Sequence, residues 1–398
     1  MSPRERLRVA FVASHPVPYH VPTYRVLARR SDLDFEVLYT HDHGVHETFD
    51  VGFGRAVKFD VPLLTGYRHR FPKNLARRPS LRFTGQVNPE LPVDVMLGAY
   101  DAVILHGYQC VTTVAALLAP RAHRTHVLLR GESTLLDRRS PGKRLAKQIV
   151  LRPFFARVDH FLAIGTLSRE FFQAHGVPAQ RITIAPYTVD NAYFEAKSAD
   201  ARANPRAARQ RLGLPQEGPI FLYCSKIIPH KRPLDVLRAF ARARQRVPAA
   251  LAYVGDGSQT GELRAEVERL GLGSDVHVLG FRNQSDLPEI YGACDVFIQA
   301  SDREPWGMVV NEAMACGMAI CASDRVGSAR DLVVDNGAVF PMGDVARLAE
   351  LIEGWARRPD EVARMKRASE RRIRGWGPEQ TADGILAGIR AARAARPG

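Results

Sequence analysis

The chain has 398 residues, 45% hydrophobic and 25% charged, with 31 glycines and 26 prolines spread along it. That balance excludes a fibrous or disordered chain, and the length exceeds one ordinary core, so two domains of about 150 to 200 residues are expected. A formal net charge of +14 predicts an anionic neighbour, whether nucleic acid, a phosphorylated substrate or an acidic bilayer surface, without choosing among them.

Taken in order, RVAFVAS near the start reads as a first strand, its apolar run being too short for a signal-peptide core. DFEVLYT, DAVILHG, HVLLRGE and HFLAIG follow as strands, separated by helical segments such as VTTVAALLAPRA and LSREFFQAHG. Short β-branched runs alternating with longer helical patterns indicate parallel βαβ units. Two stretches, 67–83 and 137–159, interleave arginine and lysine with Leu, Ile, Phe and Val. That mixture suits a face that touches lipid headgroups, and equally a set of solvated helix faces and loops. Residues 186–218 lose the strand rhythm and are rich in Ala, Arg, Asn and Pro, as a linker leading into a helix is. The pattern then restarts with IFLYCS, AALAYVGDG, VHVLGF, DVFIQAS, MAICAS and GAVFP, which makes a second doubly wound sheet. The expected division is 1–190, a linker at 191–215, 216–374, and a C-terminal helix at 375–398 that is a candidate to cross back to the first domain.

No run approaches the roughly 18 apolar residues of a spanning helix, so any membrane contact is expected to be peripheral. Cys110, Cys224, Cys294, Cys316 and Cys321 form an odd set without metal-type spacing, which suggests a reducing, cytoplasmic compartment. His41, His43 and His46 in THDHGVHE show no fourth ligand, and no metal is expected. The GDG at 255–257 is a turn after a strand and a weak phosphate-loop motif by itself.

The stretch REPWGMVVNEAMACG is more telling. A strand runs to about Ser301, a loop carries Glu304 to Gly307, and a helix starts near Met308 and stops at Gly317. Amides of Gly307, Met308 and Val309 at that helix start suit a phosphate. Glu312, one turn further in, suits the vicinal diol of a ribose, and Glu304 would face the other end of the ligand. EPWGMVVNE resembles the Glu, seven residues, Glu motif of family 4 glycosyltransferases. YCSKIIPHKRPLDVLRAF, AYVGDGSQTGELR, VHVLGFRNQSDLPEIYGACDVFIQAS and ACGMAICASDRVGSARDLV keep that family's order and spacing across the second domain. The first domain resembles it more loosely.

The resemblance implies an α/β, GT-B fold of two Rossmann-like domains facing across a cleft. It also implies a retaining, hexosyltransferase-type enzyme that uses a UDP- or GDP-sugar as substrate, with no cofactor. By the same resemblance Glu312 binds the ribose and Glu304 the donor sugar. Gly307, Met308 and Val309 with Trp306 flank the diphosphate and sugar, Lys226 and Lys231 neutralise the leaving group, and Gly280 and Phe281 line the base pocket. His106, ending a first-domain strand, matches a histidine beside the reacting sugar, so His106, Glu304 and Lys231 are the catalytic candidates. His15 and Tyr19 in the first loop, with Arg130 and Glu132 in LLRGES, are candidates for a lipid-linked or saccharide acceptor. Lysine at 226 where many members have arginine, and a first loop without the family's glycine-rich sequence, are departures. The expected role is cell-surface polysaccharide or glycolipid synthesis, on the cytoplasmic membrane face if the basic stretches meet lipid, and with no nucleic-acid partner. A sugar-nucleotide epimerase of the same fold would need acid/base groups clustered on the sugar ring, which spacing does not reveal. A basic nucleic-acid-binding module would leave the paired acids unexplained.

Overall fold

Fifteen strands form among the described residues, 6–50, 52–121, 125–136 and 141–395 of a computed structural model. In chain order they are β1 Leu7–Ala13, β2 Leu33–Tyr39, β3 Thr48–Asp50, β4 Arg55–Val57, β5 Arg68–Arg70, β6 Ala102–His106, β7 His126–Gly131, β8 His160–Ala163 and β9 Ile182–Ile184. They continue with β10 Ile220–Cys224, β11 Ala250–Val254, β12 Val276–Val278, β13 Val296–Gln299, β14 Ala319–Ser323 and β15 Gly337–Phe340. Every strand read from the sequence is present. The central ones are buried along their whole length, which explains continuous rather than alternating apolar runs.

The chain divides into two units: residues 1–48, 62–188 and 378–398 form one, and 49–61 with 189–377 the other. The first contains a seven-stranded sheet in the order β5-β2-β1-β6-β7-β8-β9, parallel throughout. Its strand order reverses at β1, between β2 and β6, so the C-terminal ends of β1 and β6 flank the crevice where such sheets take ligands. Helix Pro378–Ala395 belongs to this unit and buries Ile385, Leu386 and Ile389. Glycine permits its approach: a Cβ at Gly388 would lie 2.5 Å from Leu162 Cδ2, and one at Gly384 only 2.3 Å from the Ile184 carbonyl oxygen.

The second unit contains a six-stranded parallel sheet, β12-β11-β10-β13-β14-β15, which reverses at β10. Two corrections to the expected division arise here. The 191–215 stretch, expected as a linker leading into a helix, is two helices, Asn191–Ala203 and Pro205–Leu212. Asp190 caps the first by accepting from the Tyr193 amide at 3.0 Å, and Asn204 caps the second by accepting from the Ala207 amide at 3.3 Å, ahead of a proline at the first helical position. Polar, arginine-rich composition concealed them because only one stripe of each is buried. The other correction is that residues 49–61, carrying β4 and most of β3, group with the second unit although they lie within the first half of the sequence.

Candidate active site

In the second unit the site forms where β10 and β13 end. The loop after β10 carries Lys226 and Lys231 and is braced from three directions. The Tyr223 hydroxyl donates to the Lys226 carbonyl at 2.9 Å, the Ile227 amide donates to the Asp256 carbonyl at 2.9 Å, and the Asp302 amide donates to the His230 carbonyl at 2.9 Å. The GDG turn therefore has a packing purpose: a Cβ at Gly255 would meet the Ser225 carbonyl oxygen at 2.0 Å, and one at Gly257 the Ile227 carbonyl oxygen at 2.5 Å. Only glycine lets the two loops close on one another.

Glu304, Gly307 and Glu312 follow the predicted loop and helix. Helix Met308–Ala315 starts from Gly307, whose φ of 92° lies in the left-handed region that favours glycine. Glu312 is buried, its two carboxylate oxygens accepting from Gln284 Nε2 at 3.1 Å and from the Tyr291 hydroxyl at 2.9 Å. Burial raises its pKa, against the pull of those two donors. Each carboxylate oxygen keeps a lone pair, so a diol can still donate to it. Glu312, Val309 and Phe281 line a pocket of about 200 Å³, together with Cys224, Ser225, Val254, Gly255, Arg282, Asn283, Gln284 and Leu287, and with Asp50, Phe53, Val57 and Phe59. Gly280 braces this pocket through its carbonyl, which accepts from the Gly255 amide at 2.9 Å.

The cations are not waiting alone. Lys231 Nζ donates to Glu304 Oε2, and both side chains are largely buried. Lys226 Nζ donates to both carboxylate oxygens of Asp50, at 2.8 and 2.9 Å. Glu304 and Lys231, expected as grips for the sugar and the diphosphate, thus form an ion pair with one another. Asp50 had no motif to announce it. Trp306 is buried, donates its indole N–H to Asn311 Oδ1 at 2.9 Å and stacks on Trp376 at 5.7 Å, contacts that hold the loop in place.

The first unit has its own pocket, of about 240 Å³, at the ends of β1, β6 and β7. His15, Tyr19, His20, His106 and Glu132 line it, with Ser14, Gln86, Tyr108, Gln109, Thr113 and Ser133 among the other polar residues. His106 Nε2 lies 2.9 Å from Glu132 Oε1 and 2.8 Å from the Tyr187 hydroxyl, which itself donates to Glu132. A carboxylate only accepts, so Glu132 fixes the proton on His106 Nε2. Burial raises the Glu132 carboxyl, but His106, Tyr187 and the Arg130 charge hold it below the usual range. Arg130 is not on the pocket wall: it is fully buried, donates to the carbonyls of Ala185 and Pro186 at 3.1 and 3.0 Å, and lies 4.8 Å from the Tyr187 ring centroid. Tyr187 and His20 were missed, since neither stands in a recognisable motif. Ring packing at 4.8 Å between His20 and His106, and at 6.0 Å between His106 and Tyr187, places them there. Among the described residues no cluster of metal-ligating side chains occurs.

These two parallel-sheet units define an α/β protein of two Rossmann-like domains. The chain shares that fold over 97% of its length with Anabaena Alr3699/HepE solved in complex with UDP, at a TM-score of 0.69 and 19% identity, covering all of that chain. Residues 205–372 match the model of Glycosyl transferases group 1, so the second unit carries a domain of that group. D-inositol 3-phosphate glycosyltransferase of Thermomonospora curvata is 27% identical over 280 residues, 67% of this chain and 65% of that protein. The enzyme of the same name from Salinispora arenicola is 27% identical over 375 residues, 81% of this chain and 77% of that one. The chain thus spans just under two thirds of the length of the Thermomonospora relative.

Proposed function

We propose that the protein transfers a hexose from a nucleoside diphosphate sugar to a saccharide or lipid-linked acceptor, with retention at the anomeric carbon. The observation that carries this reading is the second-unit site, where a buried carboxylate with spare lone pairs, an aromatic-walled pocket, two lysines and a glycine-started helix meet at one sheet edge. Glu312 takes the ribose hydroxyls, and the pocket beside Phe281 takes the base. Lys226, Lys231 and the amides of Gly307 to Val309 stabilise the diphosphate as negative charge grows on it. Glu304 grips the donor sugar. No side chain is assigned as a nucleophile; the departing phosphate takes the acceptor proton. Support for a UDP-sugar comes from the Anabaena protein, whose structures include complexes with UDP and UDP-glucose.

The first-unit pocket is assigned to the acceptor, with His106 held by Glu132 and Tyr187. A surface beside it supports a lipid-linked acceptor. Phe71, Leu75, Leu81 and Phe83 are exposed among exposed Lys73, Arg77, Arg78 and Arg82, and Leu81 also lines the pocket. Such a mixture binds anionic headgroups by charge and inserts apolar side chains. Of the second basic stretch, residues 137–140 lie outside the described residues, and helix Pro141–Ala156 exposes Ile149 and Val150. No helix among the described residues is long and apolar enough to cross a membrane.

Nucleotide release from UDP-, GDP-, ADP- and dTDP-sugars, with and without acceptor extracts, tests the assignment, and a donor that stabilises the protein thermally identifies the base. Release from none of them overturns it. Co-sedimentation with anionic but not neutral vesicles at low salt is expected, and equal binding to both would remove the membrane surface.

A further inference from the structure

The two acids that hold the site's lysines differ in origin. Glu304 belongs to the site's own loop, whereas Asp50 arrives on the β3–β4 hairpin, 176 positions from the Lys226 it binds. That hairpin is seated by several independent contacts. Lys226 Nζ lies 4.7 Å from the Phe53 ring centroid, Phe53 meets Phe281 edge-on at 5.0 Å, and Arg55 covers Phe281 at 4.7 Å. Beyond the hairpin, Asn283 Nδ2 donates to the Lys58 carbonyl at 2.8 Å and the Ser285 amide to Asp60 at 3.2 Å.

The turn packs directly on the end of the lysine: a Cβ at residue 52 would lie 2.7 Å from both Cδ and Nζ of Lys226. Gly52 and Phe53 donate their amides to Asp50 Oδ1 at 2.7 and 3.1 Å, which aims the carboxylate. Burial would raise the Asp50 carboxyl, but the Lys226 ammonium and these two amides hold it below its usual value, so it is an anion at neutral pH. A carboxylate with two oxygens on one ammonium takes the contacts that a phosphate would take. An ammonium has three N–H donors, and two are already engaged.

We propose that Asp50 is an internal competitor for the donor's diphosphate, a strap residue that occupies Lys226 until a nucleoside diphosphate displaces it. This rests on the second unit's site being the donor site. The hairpin then has two parts with opposite effects: Phe53 walls the nucleoside pocket and aids the base, while Asp50 opposes the phosphates. Affinity for the nucleoside diphosphate is set below what the pocket and lysines would give alone, which favours release of the spent nucleotide after transfer.

The test is calorimetric binding of UDP, GDP, ADP and dTDP, and of the four corresponding nucleosides, to wild type and Asp50→Asn. For the diphosphate that the wild type binds, Asp50→Asn is expected to bind roughly two- to fivefold tighter, the range that a partly exposed ion pair commands, with nucleoside affinity unchanged. Equal diphosphate affinity in the two proteins overturns the proposal. So does weaker binding of diphosphate and nucleoside together, which would make Asp50 a brace for the hairpin. A wild type that binds none of the four diphosphates defeats the donor-site reading itself, and the competitor with it.

Discussion

Lys231 and Glu304 neutralise one another, so on the proposed donor reading a change in either would reach the diphosphate and the sugar together. Glu304→Gln would release the Lys231 ammonium and remove the carboxylate proposed to grip the sugar. Its affinity for the nucleoside diphosphate should hold or rise, and turnover should fall about a hundredfold, the scale of losing one group at the reacting centre. Lys231→Met should weaken the diphosphate and slow transfer, and the double variant should be far from additive. Comparable loss of nucleotide affinity in Glu304→Gln and Lys231→Met would break this assignment. Glu312 differs because its partners, Gln284 and Tyr291, are neutral donors. Glu312→Gln should cost nucleoside and nucleotide alike about 1.5–3 kcal/mol, the worth of hydrogen bonds to a charged group. Isothermal titration with both ligands reads it directly. In the first unit, Glu132→Ala leaves the Tyr187 hydroxyl and His106 Nε2 without their shared acceptor. A stability loss of about 1–3 kcal/mol is expected from that, with a larger loss of transfer than of donor affinity. A denaturant midpoint equal to wild type would mean that the three groups do not depend on one another.

At the scale of elements, what the sequence revealed followed range. Strands and the 308–315 helix were readable because apolar runs, a glycine start and a glycine stop lie within one short window. Glu312 was readable for the same reason, its place set by the helix start beside it. Asp50 was not, because HETFDVGFGRAV has no spacing that points to Lys226, and the pairing exists only after the hairpin docks. The bracing contact of Trp306 was likewise not legible, because its stacking partner, Trp376, lies 70 positions on. The 191–212 helices were hidden by polar composition, although Asp190 and Asn204 stood at capping positions. The loop's dependence on Trp306 has a measurable result. Trp306→Ala should destabilise the protein by about 3–5 kcal/mol, as deletion of a buried tryptophan does, and the folded fraction should keep most of its nucleotide affinity. Loss of binding at full stability would instead make Trp306 a ligand contact.

Across the whole molecule, the first unit carries several histidines that burial keeps neutral. His15 and His160 are both lowered to about 4, chiefly by burial, and burial likewise lowers His20 well below its usual value. In the unfolded chain they take protons near pH 6.5. Between those limits the unfolded state binds more protons, so stability is complete above about pH 6.5 and declines as pH falls toward 4. Guanidinium midpoints should drop over that interval, and His160→Gln should flatten the drop. A midpoint constant from pH 7 to 5 would mean these rings are not buried neutral. The division of the chain between the units has a different consequence, in time rather than in energy. Segment 49–61 emerges from the ribosome before residues 189–377, so the second unit has all its parts once residue 377 has left the tunnel. Its partner is still without helix Pro378–Ala395, which covers β7, β8 and β9 with Ile385, Leu386 and Ile389. The half of the protein that begins first is therefore completed last, and nascent chains halted at residue 377 should show a protease-resistant second unit beside a first unit that is still cleaved.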